Sequence, residues 1–128
     1  MKVAVYGSLL KGFYNYDNFL KGKSEYVGSF QTDPIFNLID MGTFPALTKE
    51  GSTSISMEVF DIDDIVLGDL DSLEGYNKGY PEKSFYNREK LSTPYGDAYY
   101  YVFNGDKRDN ENIITSGNWR NHKLVGKR

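Results

Sequence analysis

Apolar positions alternate in some stretches of the chain and recur at helical spacing in others. Lys2 to Tyr6 is a short apolar run of β type, and it stops at the turn-forming pair Gly7-Ser8. Leu9 to Leu20 is mixed and aromatic and predicts one short helix. Tyr26 to Ile39 alternates loosely, and Asp33-Pro34 divides it, which predicts one or two strands. Gly42 to Pro45 reads as a loop. Ser54 to Ile62 alternates cleanly, with Ile55, Met57, Val59 and Asp61 on one face and Ser56, Glu58, Phe60 and Ile62 on the other. That is a strand.

The period then changes. Ile62, Ile65, Val66, Leu70 and Leu73 recur at three- and four-residue steps, the stripe of an amphipathic helix. Asp63 and Asp64 suit its first turn, where the helix dipole favours negative charge, and Gly75 suits the position just past its end. Asn77 to Lys83 is a polar loop. Ser84 to Leu91 and Asp97 to Phe103 predict two strands joined by Ser92 to Gly96, followed by a turn at Asn104-Gly105-Asp106. Ile113 to Leu124 predicts a last short helix. Strands outnumber helices, so the expected class is mixed α/β (α+β): a compact mixed sheet or barrel with one or two flanking helices.

Length sets a bound on this picture. The 128 residues suit one domain of ordinary size, so residues 1–128 are expected to form a single unit. With 39% hydrophobic and 26% charged residues, wholesale disorder is excluded. The net charge of −3, with basic residues clustered only at Arg120, Lys123, Lys127 and Arg128, argues against a nucleic-acid partner. No apolar run approaches the ~18 residues a membrane span needs, and the opening run is too short for a signal peptide. A cytoplasmic protein with no membrane partner is therefore expected.

The chemical inventory narrows further. There is no cysteine, which removes disulfides, thiolate nucleophiles and cysteine-bearing zinc sites. The one histidine, His122, rules out a poly-histidine metal site. No metal and no cofactor is expected. Acid–base chemistry would fall to carboxylates, tyrosines or lysines.

Gly7-Ser8-Leu9-Leu10-Lys11-Gly12 superficially suggests a phosphate loop, but Phe13 stands where the Walker pattern needs lysine. A glycine and serine directly after a strand can nevertheless present free backbone N–H groups, or simply form a tight turn. Asp61-Ile62-Asp63-Asp64 lacks the ligands and glycine of a calcium loop and reads as a solvated helix start. His122 reads as a surface histidine in a polar tail, and Tyr99-Tyr100-Tyr101 as a strand with alternate core and surface positions.

Glu74 differs from the other carboxylates. It lies four residues after Leu70, roughly 40° around the helix, at the edge of the apolar stripe. It also occupies the last turn, where the dipole is negative and a cation would be the stabilising choice. Dipole and partial burial would both raise its pKa, as suits a general acid or base. A solvent-facing Glu74 is the plainer alternative.

Several motifs together resemble the γ-glutamylcyclotransferase-like family, in its AIG2-like branch. They are Val5-Tyr6-Gly7-Ser8-Leu9 and Leu70-Asp71-Ser72-Leu73-Glu74-Gly75-Tyr76, then Phe44-Pro45-Ala46-Leu47 and Ser84-Phe85-Tyr86-Asn87-Arg88. Gly96-Asp97-Ala98 leading to Tyr101-Val102-Phe103, and Ser116-Gly117-Asn118-Trp119-Arg120, are similar to its final strand and C-terminal helix region. The likeness implies a small mixed barrel-like fold with one cavity. It implies that Tyr6, Gly7, Ser8 and Leu9 hold the substrate, that Glu74 is the catalytic acid/base, and that Tyr86 and Arg88 line the pocket. Met57 stands where many members have glycine, which implies a narrower cavity or an altered substrate.

The implied reaction turns a small-molecule γ-glutamyl amine or peptide into 5-oxoproline and a free amine. The substrate's α-amino group attacks its own γ-carbonyl, so nucleophile and electrophile arrive tethered. Two other readings stand beside this one. A non-catalytic small-molecule-binding module would keep the fold and pocket without turnover. A two-carboxylate hydrolase would require Glu58 and Glu74 to approach each other, which their spacing does not decide. Oligomeric state and leaving amine are left open.

Overall fold

The structure, a computed structural model, describes residues 1–105 and 112–126. Its elements run β1 (Lys2–Val5), α1 (Tyr14–Phe19), β2 (Glu25–Gln31), β3 (Phe36–Asp40), β4 (Pro45–Lys49) and β5 (Ser56–Asp61). They continue with α2 (Asp64–Glu74), a single 3-10 turn at Pro81–Lys83, β6 (Tyr86–Thr93), β7 (Gly96–Phe103) and α3 (Trp119–Gly126). The fold is mixed α+β, as the pattern predicts. The sheet runs β2-β5-β1-β7-β6, and β3 and β4 form a separate antiparallel ribbon.

β1 lies at the centre of the sheet, antiparallel to β5 and parallel to β7. Its Val3, Ala4 and Val5 are all buried, which explains an apolar run without alternation. The two edges of the sheet meet through one side chain. Tyr95, in the turn between β6 and β7, donates its hydroxyl to the Ser29 carbonyl of β2 at 2.6 Å. Gly28 makes room for it, because a Cβ there would lie 2.4 Å from the Tyr95 oxygen. This contact ties the β6–β7 turn to the opposite edge strand.

α2 follows β5 almost at once. Asp63 caps its N-terminus, accepting the Val66 N–H at 2.9 Å, so it stands one place before the helix rather than in its first turn. Gly75 ends the helix in the left-handed conformation, φ 67°. The buried stripe is Val66, Leu67 and Leu70, while Ile65 points to solvent at 76% exposure. Ile65 falls outside the arc these three residues span, and Leu67 takes its place.

Four other expectations change. Pro45–Lys49 is a strand that the sequence pattern does not signal, because Pro45, Ala46, Leu47 and Thr48 are all buried and leave no period of two. α1 is confined to Tyr14–Phe19, and Leu9 and Leu10 enter the core from a loop. α3 begins at Trp119, since Ile113 bridges Ile39 and Gly117 takes φ 65°. Tyr100 is buried as well as Tyr101, since Phe36 of the β3–β4 ribbon packs edge-on against it at 5.9 Å. Asp106 of the expected turn, and Lys127 and Arg128 of the basic cluster, lie outside the described residues. No helix among the described residues is long and apolar enough to cross a membrane.

Candidate active site

β1 carries the chain into Tyr6, whose hydroxyl donates to the Tyr101 carbonyl of β7 at 2.6 Å. Next comes Gly7, packed so closely on Pro45 that a Cβ would lie 2.6 Å from two atoms of the proline ring. Only glycine fits there. The chain then turns, with the Leu10 N–H donating to the Gly7 carbonyl at 3.0 Å. Asn15 of α1 fixes the turn from outside: its backbone N–H donates to the Ser8 carbonyl and its amide to the Ser8 hydroxyl, at 3.2 and 2.8 Å. The N–H groups of Gly7, Ser8 and Leu9 take no acceptor among the described residues. They form a short row of free donors.

This turn borders a cavity of about 380 Å³. Ala4, Val5, Tyr6 and Tyr101 contribute buried walls, and Glu74, separated from Tyr6 by most of β2 to α2, lines the same space. Phe44, Pro45, Leu73, Phe85 and Tyr86 complete an apolar side. Tyr86 donates its hydroxyl to the Pro45 carbonyl at 2.6 Å, tying β6 to the start of β4.

Glu74 is the last residue of α2 and is half-buried. Its carboxylate takes no hydrogen bond and no ion pair among the described residues. Burial without compensation pushes its carboxyl up from 4.5 to about 7. It is therefore divided between acid and base near neutral pH. Burial also raises Tyr6, Tyr86 and Tyr101 well above the ordinary phenol range, and the charge of Glu74 adds to each shift. These tyrosines stay protonated, which leaves Glu74 as the titrating group of the cavity near neutrality.

A family model described as "Gamma-glutamyl cyclotransferase, AIG2-like" matches residues 3–121. The chain belongs to that family. It is 36% identical over 117 residues to a Vibrio cholerae protein named "Putative gamma-glutamylcyclotransferase", covering 91% of this chain and 93% of that one. It is 31% identical to the γ-glutamylcyclotransferase family protein YtfP of Escherichia coli K12, covering 93% and 96%. A crystal structure of an uncharacterized Pyrococcus horikoshii protein superposes with TM-score 0.78 at 22% identity, covering 99% and 96%, and speaks for the fold.

Within this γ-glutamylcyclotransferase-family cavity the structure brings together Tyr6, Gly7, Ser8, Leu9, Glu74 and Tyr86. Arg88 is not with them. Its guanidinium pairs with Asp71 of α2 and lies over the rings of Tyr76 and Tyr99, at 5.0 and 4.7 Å. Asp71 in turn accepts the Tyr101 hydroxyl at 2.8 Å, so Arg88 reaches the cavity wall only through two other residues. Met57 is fully buried in the core and is not on the cavity, so it does not narrow it.

Glu58 is also absent from the cavity. Its two oxygens accept the Lys11 N–H at 2.8 Å and the Arg120 guanidinium at 2.6 Å, so it offers Glu74 no second carboxylate. His122 is half-buried rather than free in a polar tail, and its Nε2 lies 2.7 Å from Asp40. Sequence reasoning missed Asn15, Phe44, Phe85 and Asp71 as parts of the site or its support. Asp71 had a signal, being three residues before Glu74 on one helix face. Asn15 had none, because its role depends on where α1 comes to rest.

Proposed function

We propose that this chain cyclises a γ-glutamyl amine, releasing 5-oxoproline and the free amine, with Glu74 as general acid and base. One observation carries the reading: a half-buried, unpaired carboxylate near neutrality shares its cavity with a turn of free N–H donors. Family membership agrees with it.

In this scheme the Glu74 carboxylate takes a proton from the substrate's α-amino nitrogen. That nitrogen attacks the γ-carbonyl carbon, forming the ring C–N bond and placing negative charge on the carbonyl oxygen. The N–H groups of Gly7 to Leu9 offer hydrogen bonds to negative charge on the substrate. Protonated Glu74 then returns the proton to the leaving nitrogen, and the original C–N bond breaks. Atoms balance with no water consumed and no cofactor invoked. Tethering of nucleophile to electrophile supplies much of the rate, and the positioned carboxyl supplies a further ~10²–10⁴-fold.

The test is release of 5-oxoproline from γ-glutamyl amines by the intact chain and by Glu74→Gln, before and after dialysis against EDTA. Turnover that survives EDTA and falls by ~10²-fold or more in the variant supports the scheme. Equal rates in both proteins would remove Glu74 from it. Ligand-induced thermal stabilisation of both proteins, with turnover in neither, would favour a binding module on the same fold.

A further inference from the structure

The cavity is chemically two-sided. One side is polar, formed by Gly7, Ser8 and Leu9, whose N–H groups take no acceptor among the described residues, and by Asn15, whose amide donates to the Ser8 hydroxyl. The other is apolar, formed by Phe44, Pro45, Leu73 and Phe85. Phe44 and Phe85 meet edge-on with centroids 6.0 Å apart, and Phe85 is still 50% exposed. An aromatic ring left half in solvent at a cavity has apolar surface available for a ligand.

Phe85 is also fixed next to the proposed acid. Its N–H donates to the carbonyl of Gly75, the residue after Glu74, at 3.0 Å. Its Cβ lies so near Gly75 that a Cβ on the glycine would be 3.1 Å away. Leu73 directly precedes Glu74. The leaving nitrogen must come within hydrogen-bond reach of Glu74 to collect its proton, so its substituent emerges beside Leu73, Phe85 and Phe44. No lysine or arginine side chain among the described residues lines the cavity, and Asp71, Glu58 and Asp40 are engaged elsewhere.

Resting on the cyclotransferase reading above, we propose that Phe44, Leu73 and Phe85 form the leaving-group subsite and select γ-glutamyl amides of uncharged, apolar amines. A carboxylate on the leaving group would find no cation there among the described residues. The modest volume, near the low end of the ~300–1,000 Å³ typical of ligand pockets, suits a small substituent better than a peptide. The free amine gains a proton in water after release, so the apolar wall retains product less well than the neutral amide it received.

The experiment compares kcat/KM for 5-oxoproline release from four γ-glutamyl amides: the benzylamide, the methylamide, γ-glutamylglycine with its free carboxylate, and the mono-amide of 1,4-diaminobutane with its free ammonium. The benzylamide is expected to exceed the glycine and diaminobutane compounds by about tenfold or more. Phe85→Ala should lower the benzylamide value about tenfold while changing the methylamide less than about threefold, and Phe85→Leu should restore most of it. Phe44→Ala makes the same prediction from a different loop, should the first variant fold poorly. Preference for either charged compound, or equal losses on benzylamide and methylamide, overturns this subsite and leaves the cyclotransferase reading standing. No 5-oxoproline from any compound overturns that reading instead. In that case calorimetry with the intact chain decides the subsite: benzylamide binding about tenfold tighter than the charged amides keeps it, and equal binding overturns it.

Discussion

Asp71 and Glu74 are two carboxylates three residues apart on α2, and they have opposite fates. Asp71 accepts from both Arg88 and the Tyr101 hydroxyl, so each of its oxygens has a partner. Glu74, one helical turn on, lines the cavity with no partner among the described residues and is held up near 7 by burial. Glu58 and Asp40 follow the pattern of Asp71, being paired with Arg120 and with His122. A partly buried carboxylate with partners is not held high. One whose partners are withheld is, because desolvation then acts without a compensating charge.

The largest expected effect separates the two residues by rate. Glu74→Gln should lower 5-oxoproline turnover by ~10²-fold or more, whereas Asp71→Asn should lower it less than tenfold. Comparable losses in both would erase the distinction drawn between them. Arg88→Met probes the structural side, since it leaves Asp71 half-buried with one partner. Urea denaturation at pH 7 should show a loss of about 2 kcal/mol, and an unchanged midpoint would mean that the pair contributes nothing.

A smaller effect lies in the pH dependence of stability. Glu74 binds its proton more tightly when folded, because its carboxyl is raised from 4.5 to about 7. Its contribution is therefore fully present below pH 4.5 and is lost as pH rises through about 7. Glu74→Gln removes that loss. Relative to the parent chain, the variant should gain about 1–2 kcal/mol between pH 4.5 and pH 8 in paired melts, a figure reduced because the side chain keeps partial contact with solvent. A constant offset across that range would contradict the desolvation of Glu74.

The smallest effect belongs to the outer corner. Burial alone would raise Asp40, but hydrogen bonds from His122 and the Gly42 N–H, with Lys123 nearby, bring its carboxyl below the usual value. That contribution is present above about pH 4 and lost as pH falls further. His122→Ala should cost less than about 1 kcal/mol at pH 6, since the pair is partly exposed. A larger loss would place this corner with the Asp71 cluster.

The sequence was most informative where one local rule acts alone. β5 alternates over Ser56 to Val59, where Met57 and Val59 face the core, and α2 shows its period and its Gly75 stop within a dozen residues. Glu74 was singled out by the same logic, as an anion at the wrong end of a helix and at the margin of its apolar stripe. β4 was illegible, because a strand buried on both faces has no alternation to read. Arg88 was misplaced for a related reason. Strand periodicity puts it on the face of Tyr86, but it cannot say that Asp71 and two tyrosine rings will intercept the side chain first.

Composition and local pattern by themselves determined the fold class, the absence of thiol chemistry and the short list of residues able to move a proton. Only the tertiary structure decided that Glu58 and Asp71 meet arginines and that Glu74, among the described residues, meets no partner at the cavity. Partnering depends on contacts such as Arg120 with Glu58 and Arg88 with Asp71, formed across 62 and 17 residues of chain. The cavity is of the same kind. Gly7 is a glycine because Pro45 arrives against it, and Glu74 shares a wall with Tyr6 because the end of α2 comes to the cavity that follows β1. Such proximities are set by packing between distant segments, and local residue preferences carry no record of them.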